Sequence, residues 1–130
     1  MPKADILIVE DHPTMREAMR LILEPEGFQI REATDAASAL SMAHAQPPDV
    51  MFLDLNIPGG PGTEVLAALK ADPATRGVRV VVVTATGEEG RERVISLGAD
   101  EYFTKPFSPT ALLRTVEAVL AGPSEPTQAS

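Results

Sequence analysis

Five short apolar runs alternate along the chain with stretches of helical periodicity. The runs are DILIVE (5–10), FQIREA (28–33), VMFLDL (50–55), VRVVVVTA (78–85) and EYFTK (101–105). Each has strand length and is built largely from β-branched, aliphatic or aromatic residues. Between the first two, PTMREAMRLILEPEG (13–27) places Met15, Met19, Ile22 and Leu23 on one helical face and stops at Pro25 and Gly27. DAASALSMAHA (35–45) offers Asp35 as an N-cap and ends before Pro47 and Pro48. TEVLAALKADP (63–73) is predicted to begin with Thr63 as its cap, turning Val65, Leu66 and Leu69 inward. EEGRERVISLG (88–98) ends at Gly98, which suits a left-handed position after a helix. SPTALLRTVEAVLAG (108–122) opens with Ser108 and has Pro109 at the first helical position; its stripe is Leu112, Leu113, Val116, Val119 and Leu120.

Five β-α units follow from this alternation. Strands joined by helical crossovers run parallel, and nearly continuous apolar strands suit a sheet covered on both faces. The predicted class is α/β: a flavodoxin-like, doubly wound sheet of five parallel strands in the order 2-1-3-4-5, with five helices. At 130 residues the chain is of single-domain size. The domain is expected over residues 1–122, with 123–130, within GPSEPTQAS, as a flexible tail or linker.

Composition narrows the chemistry. The chain is 44% hydrophobic and 23% charged, with no cysteine, so disulfides, thiolate metal sites and cysteine nucleophiles are excluded. No apolar stretch approaches the roughly 20 residues that span a bilayer, and MPKADILIVED turns acidic too early for a signal peptide. A cytoplasmic location without membrane association is the expectation. The formal net charge of -8 argues against direct binding to nucleic acid by this domain.

The unusual residues cluster at strand ends. Strand 1 ends in Glu10 and Asp11, strand 3 in Asp54, strand 4 in Thr84 and strand 5 in Lys105. In the predicted order these ends gather around one crevice, where ligands bind in such sheets. Three carboxylates together repel, and a divalent cation relieves the repulsion. An all-oxygen set with water completing the shell suits Mg²⁺, with Mn²⁺ as a substitute. The cation in turn calls for an anion, and a phosphoryl group fits, with Lys105 and the Thr84 hydroxyl as further contacts. Asp54, set in an apolar strand, is then a candidate nucleophile that forms an aspartyl phosphate.

ILIVEDHPTMR, DVMFLDLNIPGGPGTEVL, VVVVTAT and GADEYFTKPF together resemble the receiver domain of two-component response regulators, over about residues 4–121. The resemblance implies that Asp54 is the phosphoacceptor. It implies Asp11 as a direct Mg²⁺ ligand, Glu10 as an acidic neighbour acting through water, and the Asn56 backbone carbonyl as a further metal contact. Thr84, the Ala85 backbone and Lys105 would bind phosphoryl oxygens, and Tyr102 would be an aromatic switch that turns inward with Thr84. The peptide before Pro106 is expected to be cis. Asn56 and Thr86 occupy positions that tune the phosphoryl lifetime in that family. Glu10 stands where one common version of the acidic pair has Asp. The implied partners are a histidine kinase or phosphotransfer protein and, through the face of helix 4, strand 5 and helix 5, a downstream protein, an output domain or a second copy. That face would include Arg91, Arg93, Asp100, Glu101 and Arg114. The domain would assist its own phosphorylation and dephosphorylation without being a conventional enzyme.

Blander readings exist for each residue. Asp11 would cap the helix from Pro13, Asp54 would cap the next loop with Lys105 as its structural partner, and His12 and His44 would be surface histidines. A phosphohydrolase with an aspartyl nucleophile shares the chemistry, but Asn56 stands where such enzymes place a second Asp, and no cap domain is present. A non-phosphorylated pseudo-receiver that serves only protein contacts is a further alternative. A flavin-binding role is disfavoured by the acidic loop after strand 1, where a phosphate needs donors.

Overall fold

The computed structural model describes residues 4–85 and 87–121; Thr86 and the expected 123–130 tail lie outside the described residues. Five strands form the main sheet: β1 (Asp5–Val9), β2 (Gln29–Ala33), β3 (Val50–Leu53), β6 (Arg79–Thr84) and β7 (Glu101–Thr104). All pairs are parallel, and the order is β2-β1-β3-β6-β7, the predicted arrangement. Between β3 and β6 two extra strands, β4 (Asn56–Ile57) and β5 (Gly60–Pro61), form a small antiparallel hairpin. The sequence reading did not anticipate this hairpin. Its turn is Pro58-Gly59, with Gly59 at φ +89°, a backbone region that glycine enters without strain.

The described residues hold five α-helices: α1 (Pro13–Leu23), α2 (Ala36–Ala45), α3 (Gly62–Ala71), α4 (Arg91–Ser96) and α5 (Pro109–Ala121). Strand side chains alternate between two cores. Leu7, Val9, Met51, Leu53, Val80 and Val82 face α2, α3 and α4, where Ala39, Leu66, Leu69 and Val94 meet them. Ile6, Ile8, Val50, Phe52, Val81 and Val83 face α1 and α5, against Met19, Leu23, Leu112 and Val116. Every one of these strand residues is essentially inaccessible to water. Two covered faces are the physical reason the runs read as continuous rather than alternating. Full burial of each such side chain contributes about 1.5–3 kcal/mol.

Side-chain caps set two of the helix starts. The Asp35 carboxylate accepts from Ser38 N at 2.7 Å, and the Ser108 hydroxyl accepts from Ala111 N at 2.9 Å, so both act as N-caps. Thr63 does not. Pro61 holds the N-cap position and the helix begins at Gly62, two residues earlier than a Thr63 cap would set it, because Gly62 N donates to the Leu55 carbonyl at 2.8 Å and closes the chain back onto the end of β3. α4 is also shorter than predicted: residues Glu88–Gly90 form a 3₁₀ turn and the α-helix starts only at Arg91. Gly90 explains this, since glycine is a poor interior helix residue.

Register carries the polar residues to one edge. Val9 pairs with Leu53 and Leu53 with Val82, so Glu10 and Asp54 follow as neighbours at the carboxyl ends of β1 and β3. Asp54 N donates to the Val9 carbonyl at 3.1 Å. On the other side Thr84 pairs with Thr104, and Lys105 N donates to the Thr84 carbonyl at 2.8 Å. Among the described residues no helix is long and apolar enough to cross a membrane.

Gly62 joins this edge to α3 with no room to spare. A Cβ there would sit 2.6 Å from the Asp54 carbonyl oxygen and 2.7 Å from Leu55 Cα. Gly62→Ala is therefore expected to lower the unfolding free energy by about 1–3 kcal/mol in urea titrations. Gly77→Ala, where a Cβ meets nothing within 4 Å, is expected to change it by less than about 0.5 kcal/mol. Equal stabilities for the two variants would show that the approach at Gly62 relaxes freely.

Candidate functional site

Lys105 reaches back from the end of β7 to the ends of β1 and β3. Its Nζ lies 2.9 Å from Glu10 Oε1 and 3.0 Å from Asp54 Oδ2. The remaining oxygens are also engaged: Glu10 Oε2 accepts from His12 N at 3.2 Å, and Asp54 Oδ1 accepts from Asn56 N at 3.0 Å. Glu10 is 2% exposed and Asp54 6%, so two nearly dehydrated carboxylates share one ammonium. Burial of charges is tolerated only with such pairing and hydrogen bonding.

Asp11 adds a third carboxylate. It is exposed, yet one oxygen each from Glu10, Asp11 and Asp54 lie within 4.8 Å of one another. One lysine against three acids leaves an excess of negative charge. Burial, together with the Asp54 charge, pushes the Glu10 carboxyl above its ordinary range, with Lys105 opposing. Burial pulls the Lys105 ammonium down, but its bonds to Glu10 and Asp54 prevail and hold it above its ordinary value.

An open cleft of about 620 Å³ lies over this cluster, lined by Asp11, Asp54, Asn56, Ala85 and Lys105, with Met15 and Ala18 of α1 on its apolar side. Thr84 closes β6 beside it and is fully buried. The structure thus brings together Glu10, Asp11, Asp54, Asn56, Ala85 and Lys105, with Thr84 at the adjoining strand end. The peptide between Lys105 and Pro106 is cis, as expected. Thr86 lies outside the described residues.

Tyr102 sits earlier on β7, three residues before Lys105, fully buried, its hydroxyl donating to the Gly87 carbonyl. Arg91 covers it: the guanidinium is 5.3 Å from the ring centroid and donates to the Tyr102 carbonyl at 2.9 Å. The same arginine pairs with Glu88 at 2.6 Å. Of the five residues expected on the α4-β7-α5 face, Arg91, Asp100 and Glu101 are thus used within the chain, Asp100 accepting from Val80 N at 2.8 Å and Glu101 from Tyr102 N at 3.4 Å. Arg93 and Arg114 are exposed.

Two blander contacts do form, since Asp54 receives the Asn56 amide and pairs with Lys105. The proposed Asp11 cap does not: His12 holds the N-cap position of α1, with no side-chain cap bond. His44 lies away from the site, exposed and 2.7 Å from Asp72. Arg16 was not anticipated from the sequence. Its guanidinium donates to the Glu10 carbonyl at 2.9 Å and to Glu32 at 3.1 Å, a pairing across 16 residues with no local signature.

Residues 6–117 match the response regulator receiver domain. The chain is 44% identical over 116 residues to the phosphate regulon transcriptional regulatory protein PhoB of Escherichia coli, covering 88% of this chain and 51% of PhoB. It is 35% identical over 124 residues to protein PilH of Pseudomonas aeruginosa, covering 92% of this chain and 99% of PilH. The chain therefore spans about half the length of PhoB and nearly all of PilH. A receiver domain protein, CheY-like, from Methanospirillum hungatei has a similar solved structure, with a TM-score of 0.83 and 27% identity over 90% of this chain and 93% of that one.

The charge excess has a measurable consequence. A carboxyl whose folded value is raised stabilises the fold fully below its unfolded value, and that contribution is lost as pH rises through the folded value. Glu10→Gln is therefore expected to raise the unfolding temperature in EDTA at neutral pH. The advantage should shrink as pH falls through the raised Glu10 value. A variant less stable than wild type at neutral pH would show that the Lys105 pairing outweighs burial at Glu10.

Proposed function

Because the chain belongs to the response regulator receiver domains of two-component signalling, we propose that it accepts a phosphoryl group on Asp54 and passes the event on as a change of shape. The observation that carries this reading is the Lys105 ammonium held between the Glu10 and Asp54 carboxylates, with Asp11 alongside. An oxygen of Asp54 forms the new O–P bond as the donor's bond to phosphorus breaks. The leaving group, an imidazole if the donor is a phosphohistidine, departs with the electron pair. Hydrolysis of the acyl phosphate later restores the carboxylate and releases inorganic phosphate.

The all-oxygen cluster fits a magnesium ion, held by Asp11, Asp54 and the Asn56 carbonyl, with Glu10 acting through water. Bound there, the cation offsets carboxylate repulsion and neutralises charge on the transferring group. Lys105 is within reach of the same oxygens. Thr84 and the Ala85 backbone complete the phosphoryl contacts, which makes the chemistry one of positioning and electrostatics. The protein is a phosphoacceptor rather than a conventional enzyme.

The donor is a histidine kinase or phosphotransfer protein. The signal leaves by a population shift in which Thr84 closes on the phosphoryl group and Tyr102 is held inward. The α4-β7-α5 face, with Arg93 and Arg114 exposed, is the surface offered to an output domain, a partner protein or a second copy.

Incubation with magnesium and acetyl phosphate, followed by intact-mass measurement, tests the reading. One phosphoryl adduct is expected on the wild type, lost with EDTA and in Asp54→Asn. An adduct that persists in Asp54→Asn would move the acceptor elsewhere. Multiple turnover of an unrelated phosphate ester would favour a phosphohydrolase instead.

A further inference from the structure

The two carboxylates at the end of β1 stand on a loop that no side-chain cap secures. His12 occupies the N-cap position of α1 without a cap bond, and Pro13 follows it at the first helical position. The peptide between Glu10 and Asp11 decides where the Asp11 carboxylate is aimed, since its plane fixes the direction of the next Cα–Cβ bond. Its carbonyl oxygen is the Arg16 acceptor, at 2.9 Å from one terminal nitrogen.

Arg16 is itself braced. Its Nε donates to Glu32 Oε1 at 3.1 Å, and Arg20 holds the other oxygen of Glu32 at 2.6 Å. Glu32 projects from β2, which pairs in register with β1 as Ile8 with Glu32 and Val9 with Ala33. Glu10 N donates to the Ala33 carbonyl at 3.0 Å. The guanidinium therefore ties both ends of one short path: a rigid strand on one side and the Glu10–Asp11 peptide on the other. The guanidinium makes the two bonds from separate nitrogens fixed in one plane, Nε and Nη1, whereas a lysine ammonium would have to make both from a single atom.

We propose that Arg16 is a positioning residue for the cation site, orienting Asp11 through the Glu10 carbonyl, an inference that rests on the receiver reading above. Its charge and its geometry act in opposite directions. A positive charge near three acids weakens cation binding by repulsion. The bond it makes strengthens cation binding by holding a ligand in place, and loss of such an outer contact costs roughly tenfold or more in metal affinity.

Calorimetric titration of magnesium into the unphosphorylated chain separates the two. Arg16→Gln removes charge and fork together, whereas Arg16→Lys keeps the charge and loses the fork. Arg16→Lys is expected to bind magnesium about tenfold more weakly than wild type, and Arg16→Gln, relieved of the charge, to fall between the two, at a temperature where unfolding in EDTA shows both variants still folded. Wild-type affinity in Arg16→Lys, or tighter binding in Arg16→Gln, would overturn the proposal. So would a lowered unfolding temperature with unchanged affinity, which marks Arg16 as merely structural. If Arg16→Gln does not fold, Arg16→Lys decides alone. A wild-type chain that binds no magnesium would remove the receiver reading and this inference with it.

Discussion

One ammonium group shared between two buried carboxylates is the interaction around which this molecule is arranged. Lys105 comes from the last strand, Glu10 from the first and Asp54 from the middle, so the contact closes the carboxyl edge of the sheet across three strands. Buried ion pairs stabilise little in net terms, because desolvation offsets most of the attraction. Here the charge count does not even balance, since Asp11 brings a third acid within 4.8 Å. A cluster built only for stability would gain by replacing these groups with apolar ones. Its place at the mouth of a cleft suits the proposed magnesium site, in which a cation would supply the balancing charge.

The sheet makes such a site possible. Both faces are sealed by helices, so the hydrogen-bonded strands pack through apolar side chains and most of the polar chemistry falls at their ends. The strand from Val50 to Leu53 is fully inaccessible and presents Asp54 at a fixed point. Gly62 then lets α3 start directly against the Asp54 backbone, while β7 buries Tyr102 and delivers Lys105 three residues further on. The ammonium and the aromatic ring are thus carried by one short strand and the residue that follows it, the element through which the proposed switch would reach the α4-β7-α5 face.

Much of this was legible in the residues themselves. The strands could be read because a sheet buried on both sides demands unbroken apolar runs, and the strand order placed Glu10, Asp11, Asp54, Thr84 and Lys105 on one edge before any contact was seen. Asp35 and Ser108 announced their helices because a cap is a local bond. Thr63 misled because the start of α3 is set by a bond from Gly62 to Leu55, seven residues back in the chain and outside any helix. The small β4-β5 hairpin escaped notice for a related reason: two-residue strands carry no periodicity. Arg16 was invisible because it joins a backbone carbonyl of one strand end to a side chain of the next strand, and neither distance nor direction is written locally. Arg91 over Tyr102 belongs to the same class.

If the acids at the strand ends are balanced by Lys105 and completed by a divalent cation, then the two cations compete for Glu10 and Asp54. The magnesium affinity of Lys105→Met, compared with wild type by calorimetry in the unphosphorylated state, measures that competition directly. Tighter binding in Lys105→Met, with a larger rise in unfolding temperature on adding magnesium, is the result this account predicts. Equal affinities in the two proteins, or no binding in either, would contradict it.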